Sequence, residues 1–299
     1  MKNIIKIISL LIILICLIIF SPEIMISIDF SLNVFKASIF PSLFPFFVIS
    51  KLLINYGFVE ILSKNLSFFM TKFFKINPNC TFIFIMSLLS GFPSSARYTA
   101  NLLDNNQINE QDANKIILFS HFSNPIFILN TLSMNFLKKP KIGFLILISH
   151  YIGNIVIGLF LRNYNISSSK NNIISKKPLK FGLALTSSIK ESIESLLLIL
   201  GTMTTFIVFT TIIDNVLPLN SINQSILNGL LEITQGLKSV SALNIPLNIK
   251  AAICSFLLSF GSLSVHAQII SLVKIKYSNY FFSRVFHGLI SSLITFLLV

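Results

Sequence analysis

The chain has 299 residues, 54% of them hydrophobic and 11% charged, and a net charge of +13 from 23 Lys and Arg against 10 Asp and Glu. Soluble domains average about 25% charged residues, so a water-soluble globule is excluded and an integral membrane protein is implied. The positive excess is read as lysine-rich loops on the cytoplasmic side. It is not read as a nucleic-acid partner, because the sequence holds neither an aromatic–basic RNA motif nor a basic recognition helix.

Apolar runs follow one another at 4–20, 37–55, 80–90, 116–137, 142–161, 195–213, 249–273 and 281–299. Lipid admits only helices or closed barrels, and these runs lack the alternation of barrel strands. The sequence therefore predicts an all-α, polytopic integral membrane protein with about eight membrane segments. The first run continues into "SPEIMIS" without an A-x-A-like cleavage site, so 1–26 is predicted to be an uncleaved transmembrane helix with Lys2 and Lys6 inside. Residues 30–162 make a first unit. The Ser/Asn/Lys-rich "NYNISSSKNNIISKKPLK" marks a polar basic linker at 163–182, and 183–299 make a second, shorter unit. Cys16, Cys80 and Cys254 all fall in apolar runs without C-x-x-C spacing and read as packing residues.

The two units echo each other in order. "GFVEI" (57–61) matches "GLLEI" (229–233), and "LLSGFPSSAR" (88–97) matches "LLSFGSLSVH" (257–266). The second match pairs Ser90 with Ser259, Ser95 with Ser264 and Arg97 with His266. "LISHYIG" (147–153) lies beside "RVFHGLI" (284–290), pairing His150 with His287. The first unit carries a longer stretch between its last two echoes, so an internal duplication with one element missing from the second copy is inferred.

Internal repeats with interrupted hydrophobic segments point to a transporter binding site. The interruptions here are Gly91 with Pro93, and Gly261 with Ser262. They predict two broken or re-entrant helices packed near each other at mid-membrane. A half-helix starting after Pro93 turns its N–H groups, with Ser94 and Ser95, toward the site and favours an anion. Both flanks of 142–161 are basic. A re-entrant 80–101 puts the linker in the cytoplasm and inverts the repeats, whereas a full crossing makes them parallel. The re-entrant form is preferred because the linker carries more Lys and Arg.

Ionisable groups within membrane segments mark function by default. Arg97 either faces a substrate cavity or snorkels to the interface near Asp104. Glu232, beside Thr234 and Gln235, either caps a helix or pairs with Lys238, or else serves a coupling ion or proton. Glu60, followed by Lys64, Lys72 and Lys75, suits an interfacial amphipathic helix. His266 and Gln268 lie beyond the second break, where His266 is open to either a structural or a functional role. His121, Ser123 and Asn124 precede Pro125, and such amides cap freed carbonyls. His150 and His287 have no polar company in sequence and read as structural. Glu191 and Glu194 are read as the start of a helix.

The expected binding set is therefore Ser90, Gly91, Pro93, Ser94, Ser95, Arg97, Asn124, Glu232, Thr234, Ser259, Gly261, Ser262, Ser264, His266 and Gln268. No H-E-x-x-H, G-x-S-x-G, P-loop or GxGxxG motif occurs, and His and Cys never reach metal-ligand spacing, so neither catalysis nor a cofactor or metal is expected.

Five stretches together carry a family resemblance: "FPSLFPFFVISKLL" (40–53), "LLSGFPSSARYTANLL" (88–103), "FSHFSNPIFIL" (119–129), "GLLEITQGL" (229–237) and "LSFGSLSVHAQIISL" (258–272). In them the chain resembles the YlbJ-type (SpoVV) sporulation integral membrane proteins, which share a "Gate" module with nucleoside-transporter-like proteins. The resemblance implies movement of dipicolinic acid, a pyridine dicarboxylate, from the mother cell across the outer forespore membrane, with Arg97 meeting a carboxylate. It leaves open a nucleoside or other metabolite as cargo, or a scaffolding role among other spore membrane proteins. Ser94-Ser95 stands where the family pattern suggests Gly-Ala, and Ser262 where it suggests a second glycine.

Overall fold

The computed structural model describes residues 2–164, 179–217 and 219–299, so the linker stretch 165–178 lies outside the described residues. The described residues are mostly helical, with no strand among them. Five helices are long and apolar enough to cross a membrane: Ser21–Asn55, Pro140–Asn163, Phe181–Val216, Leu247–Leu272 and Tyr277–Leu298. Shorter apolar helices lie at Asn3–Ile19, Cys80–Ser90 and Phe127–Leu137. The protein is a multi-pass membrane protein.

Helix α1 (Lys2–Ile19) leads into α2 (Ser21–Val34), which continues through a π-helical turn at Phe35–Ile39 into α3 (Phe40–Asn55). Gly57 turns the chain into α4 (Phe58–Phe68), whose last residues run on to Phe74. Next come α5 (Cys80–Ser90) and α6 (Ser94–Asp104), separated by Gly91, Phe92 and Pro93, with a cis peptide before Pro93. These two form a hairpin. At its base Asn79 Nδ2 donates to Gln107 O at 2.8 Å, which brings the start of α5 beside the end of α6. The short α7 (Glu110–Ile116) ends in a non-helical stretch, 120–124, before helix resumes at Pro125 and turns π-helical over Phe127–Leu137. Helix α8 (Pro140–Phe160) closes this half.

The 36-residue α9 (Phe181–Val216) begins well before the apolar run at 195–213, so Glu191 and Glu194 lie in its third and fourth turns, not at its start. A second hairpin follows, α10 (Ser221–Leu231) and α11 (Ile233–Ala242), with Glu232 as its tip residue in extended conformation. Gly229 and Gly236 let the two arms touch backbone to backbone, where any side chain would collide. Then α12 (Leu247–Phe260) and α13 (Ser262–Leu272) form one helix broken at Gly261 (φ +84°) and Ser262 (φ +49°), and α14 (Tyr277–Leu298) ends the chain.

Two of the three sequence echoes therefore join unlike elements. "LLSGFPSSAR" is a hairpin tip and "LLSFGSLSVH" a broken through-going helix, so Arg97 and His266 are not counterparts. Glu60 lies in the first turn of α4, where Gln107 Nε2 donates to it at 2.9 Å, whereas Glu232 is a hairpin tip. Both errors have one cause. Apolar sequence with a Gly break has the same local signature whether the chain turns back or carries on. The third echo joins like elements: His150 of α8 and His287 of α14 face each other with ring centroids 4.7 Å apart.

Candidate functional site

The two hairpin tips and the two helix breaks meet at the centre of the molecule. At the first tip, Gly91 takes φ +81°, and a Cβ there would lie 2.7 Å from Asn124 Cα. That close approach lets Phe92 N donate to Phe122 O at 2.6 Å, tying the tip to the non-helical 120–124 stretch. Asn124 completes the joint. Its Nδ2 donates to Ser90 O, the end of α5, at 3.0 Å, while its Oδ1 accepts from Ile126 N at 2.7 Å. One amide thus caps a helix C-terminus and the next helix N-terminus. The Phe92 ring stacks on His121 at 4.7 Å, and His121 in turn faces Gly261 across the second break. The breaks at Gly91–Pro93 and Gly261–Ser262 do lie together.

Around this junction is a cavity of about 60 Å³. Its polar lining comes from Ser42 of α3, from Ser123 and Asn124, from Glu232 and Thr234 at the second tip, and from Ser264 and Gln268 of α13. Phe92, Phe127 and α9 residues Ile199 and Met203 supply the apolar wall. Glu232 is 1% exposed, and its Oε2 accepts from Gln235 N at 2.9 Å, so it caps α11. Lys238 does not pair with it; that ammonium sits 4.1 Å over the Phe30 ring. No cationic side chain lines the cavity among the described residues.

Of the residues singled out in the sequence, Asn124, Glu232, Thr234, Ser264 and Gln268 are brought together, with Gly91, Pro93, Gly261 and Ser262 shaping the breaks. The others are elsewhere. Ser90, Ser94 and Ser95 are buried within the first hairpin; Tyr98 Oη donates to Ser50 Oγ at 2.8 Å and lies 3.3 Å from Ser90 Oγ. Ser259 binds the His150 ring at 2.8 Å. His266 Nε2 donates to Phe260 O at 2.9 Å, and its Nδ1 accepts from Tyr277 Oη at 3.2 Å. Arg97 lies on the α9-facing side of α6, in a separate open cleft with Asn101, Asp104, Glu191 and Glu194. It does not reach the central cavity because it is one helical turn past the tip. Its Nη2 is 3.8 Å from Glu191 Oε2, a carboxylate that Lys51 holds more closely at 2.8 Å.

Behind the cavity is a cluster that sequence reasoning passed over. Arg284 of α14 is fully buried with no acidic partner among the described residues. Its guanidinium donates to Asn154 Oδ1 (3.3 Å), His287 Nδ1 (2.9 Å), Ser283 Oγ (3.0 Å) and Leu118 O. His287 Nε2 donates to His150 O at 2.8 Å, and His150 Nε2 accepts from Ser123 N at 2.8 Å, so His150 and His287 have dense polar company. Each partner fixes a neutral tautomer. Asn154 Nδ2 donates to His121 O at 2.6 Å. The cluster therefore pins the 118–124 stretch to α8 and α14. The signal was present: Tyr280, Arg284 and His287 at i, i+4 and i+7, and His150 with Asn154 at i, i+4, each mark one polar helix face.

No model of a known protein family matches the chain, and no solved structure does. The chain is 30% identical to the sporulation integral membrane protein YlbJ of Bacillus subtilis (strain 168), over 303 aligned positions that cover 87% of this chain and 74% of the relative. The chain belongs to the YlbJ family. Membership makes it a membrane protein of sporulation. The match runs through most of the chain, so the YlbJ-type relationship does not rest on the five quoted stretches alone.

Proposed function

We propose that this protein transports dipicolinate, a small aromatic dicarboxylate, across the outer forespore membrane during sporulation. The observation that carries the transport reading is the convergence of two hairpin tips and two helix breaks on one mostly apolar cavity into which a few polar groups, Glu232 among them, are set. Backbone freed from helix is tolerated at membrane depth only where it lines protein or water, and transporters place such interruptions at their substrate sites. Membership of the YlbJ family supports the sporulation setting.

The order hairpin, broken helix, long helix occurs in 80–160 and again in 221–298, which supports an internal duplication. Pairing hairpin with hairpin gives both units the same three elements, and the close His150–His287 contact then joins the last element of each.

One observation favours a second cargo. Among the described residues the cavity holds a carboxylate and no cationic side chain, which suits an uncharged polar solute such as a nucleoside, or a dicarboxylate that enters with a proton. Spore dipicolinate content in a deletion strain, with mother-cell synthesis measured alongside, tests the proposal. Spores without dipicolinate despite normal synthesis are expected; normal spore content would remove dipicolinate as the cargo.

A further inference from the structure

Helices α9 and α13 run side by side past two spaces. Ile199 and Met203 of α9 and Gln268 of α13 line the Glu232 cavity. One turn along each helix, Ser195 and Leu198 of α9 and Leu272 of α13 line the cleft that holds Arg97. Gln268, which lines the cavity, donates through Nε2 to Thr202 Oγ1 of α9 at 2.8 Å, one turn from the cleft-lining Leu198, so a side-chain hydrogen bond ties the two helices beside the cavity. The cleft measures about 370 Å³ and the cavity about 60 Å³. A water takes about 30 Å³ of liquid, and sites for small organic ligands start near 300 Å³. In this conformation the cleft admits a small organic molecule, whereas the cavity holds only a few waters.

We propose that the Arg97 cleft is the aqueous mouth of the Glu232 cavity, and that the Gln268–Thr202 hydrogen bond is the gate between them. Two features of the chain suit Gln268 to move. It lies on the half of a broken helix beyond Gly261 and Ser262, where the backbone ladder is already interrupted. Its partner is on α9, an unbroken 36-residue helix, so α13 shifts against a fixed post. Thr202 Oγ1 is oriented by its own donation to Leu198 O at 2.8 Å, leaving its lone pairs toward Gln268. Arg97, only loosely held by Glu191, sets the charge that a solute meets on the way in. What passes the gate rests on the transport reading; the gate itself rests on the two spaces.

The test uses purified full-length protein and needs no cargo. A reporter cysteine replaces Ser264 in the central cavity, and a second, independent reporter replaces Ile199. Their reaction with the anionic sulfonatoethyl and the cationic trimethylammonioethyl methanethiosulfonates is followed over the background set by Cys16, Cys80 and Cys254. Thr202→Val keeps the side-chain shape and removes the hydroxyl acceptor. It is expected to speed labelling of both reporters about three- to tenfold, the range that loss of one net hydrogen bond gives. Arg97→Gln is expected to lower the ratio of anionic to cationic labelling about threefold, because both reagents pass that charge. Labelling indifferent to both substitutions would overturn the gate and put the mouth elsewhere. A Thr202→Val effect without an Arg97→Gln effect would overturn the cleft as the route. Wild-type vesicles that take up no dipicolinate, with labelling as expected, would overturn the cargo and leave the gate standing.

Discussion

Gly91 combines φ +81° with ψ 178°, a backbone region open essentially only to glycine. Its Cα also lies against the Asn124 backbone, which has no flexible end to swing away. Gly91→Ala is therefore expected to cost at least about 3 kcal/mol, as strain plus collision. Thermal unfolding in detergent checks it, and an unchanged midpoint would mean the tip is looser than described. Ser262 is a milder case. It holds φ +49° with its Oγ 3.0 Å from Ser264 Oγ. Glycine there loses a hydrogen bond but removes left-handed strain, so Ser262→Gly should stay within about 1 kcal/mol of wild type. Ser262→Val places a β-branched side chain at positive φ and should lose about 2 kcal/mol or more. Equal unfolding midpoints for the two variants would show that this backbone relaxes freely.

Helices α8 and α14 and the 118–124 stretch are joined through Arg284. Its burial without a counter-ion among the described residues costs several kcal/mol, and what offsets that cost is a set of oriented acceptors on three segments. Arg284→Met removes the charge but strands Asn154 Oδ1 and His287 Nδ1, each costing about 1–3 kcal/mol when left unpaired, while the Leu118 carbonyl keeps its bond from Ser283 Oγ. A net loss of about 2 kcal/mol or more and a reduced yield of folded protein are expected. Arg284→Lys should not rescue it, because one ammonium cannot span acceptors that a planar fork reaches on two sides. Wild-type stability in Arg284→Lys would show that charge alone, not the fork, holds these elements.

At the scale of the whole molecule, the central cavity joins both halves of the chain, and Glu232 is the one carboxylate in its lining among the described residues. If that carboxylate exchanges a proton or ion during transport, Glu232→Gln should abolish uptake while protein abundance stays normal. If it only caps α11, the loss is that of a cap, about 1 kcal/mol, and abundance and uptake should fall together. Reconstituted uptake measured at matched protein level separates the two, and normal uptake at normal abundance would remove both roles.

Membrane class, helical structure and the positions of the breaks are properties of short windows. Transfer of apolar side chains into lipid and the backbone limits of Gly and Pro act within a few residues, so the eight apolar runs and the interruptions at Gly91, Pro93 and Gly261 were legible in the sequence, as was family membership. Which side chains meet was not. A hairpin and a broken helix differ only in where the chain goes next, and that direction moved Arg97 one turn away from the cavity and placed Glu232 inside it. Arg284 shows the same limit from the other side. Its two terminal nitrogens donate to a carbonyl and side chains from three separate segments, and only their packing against one another could bring those acceptors within reach.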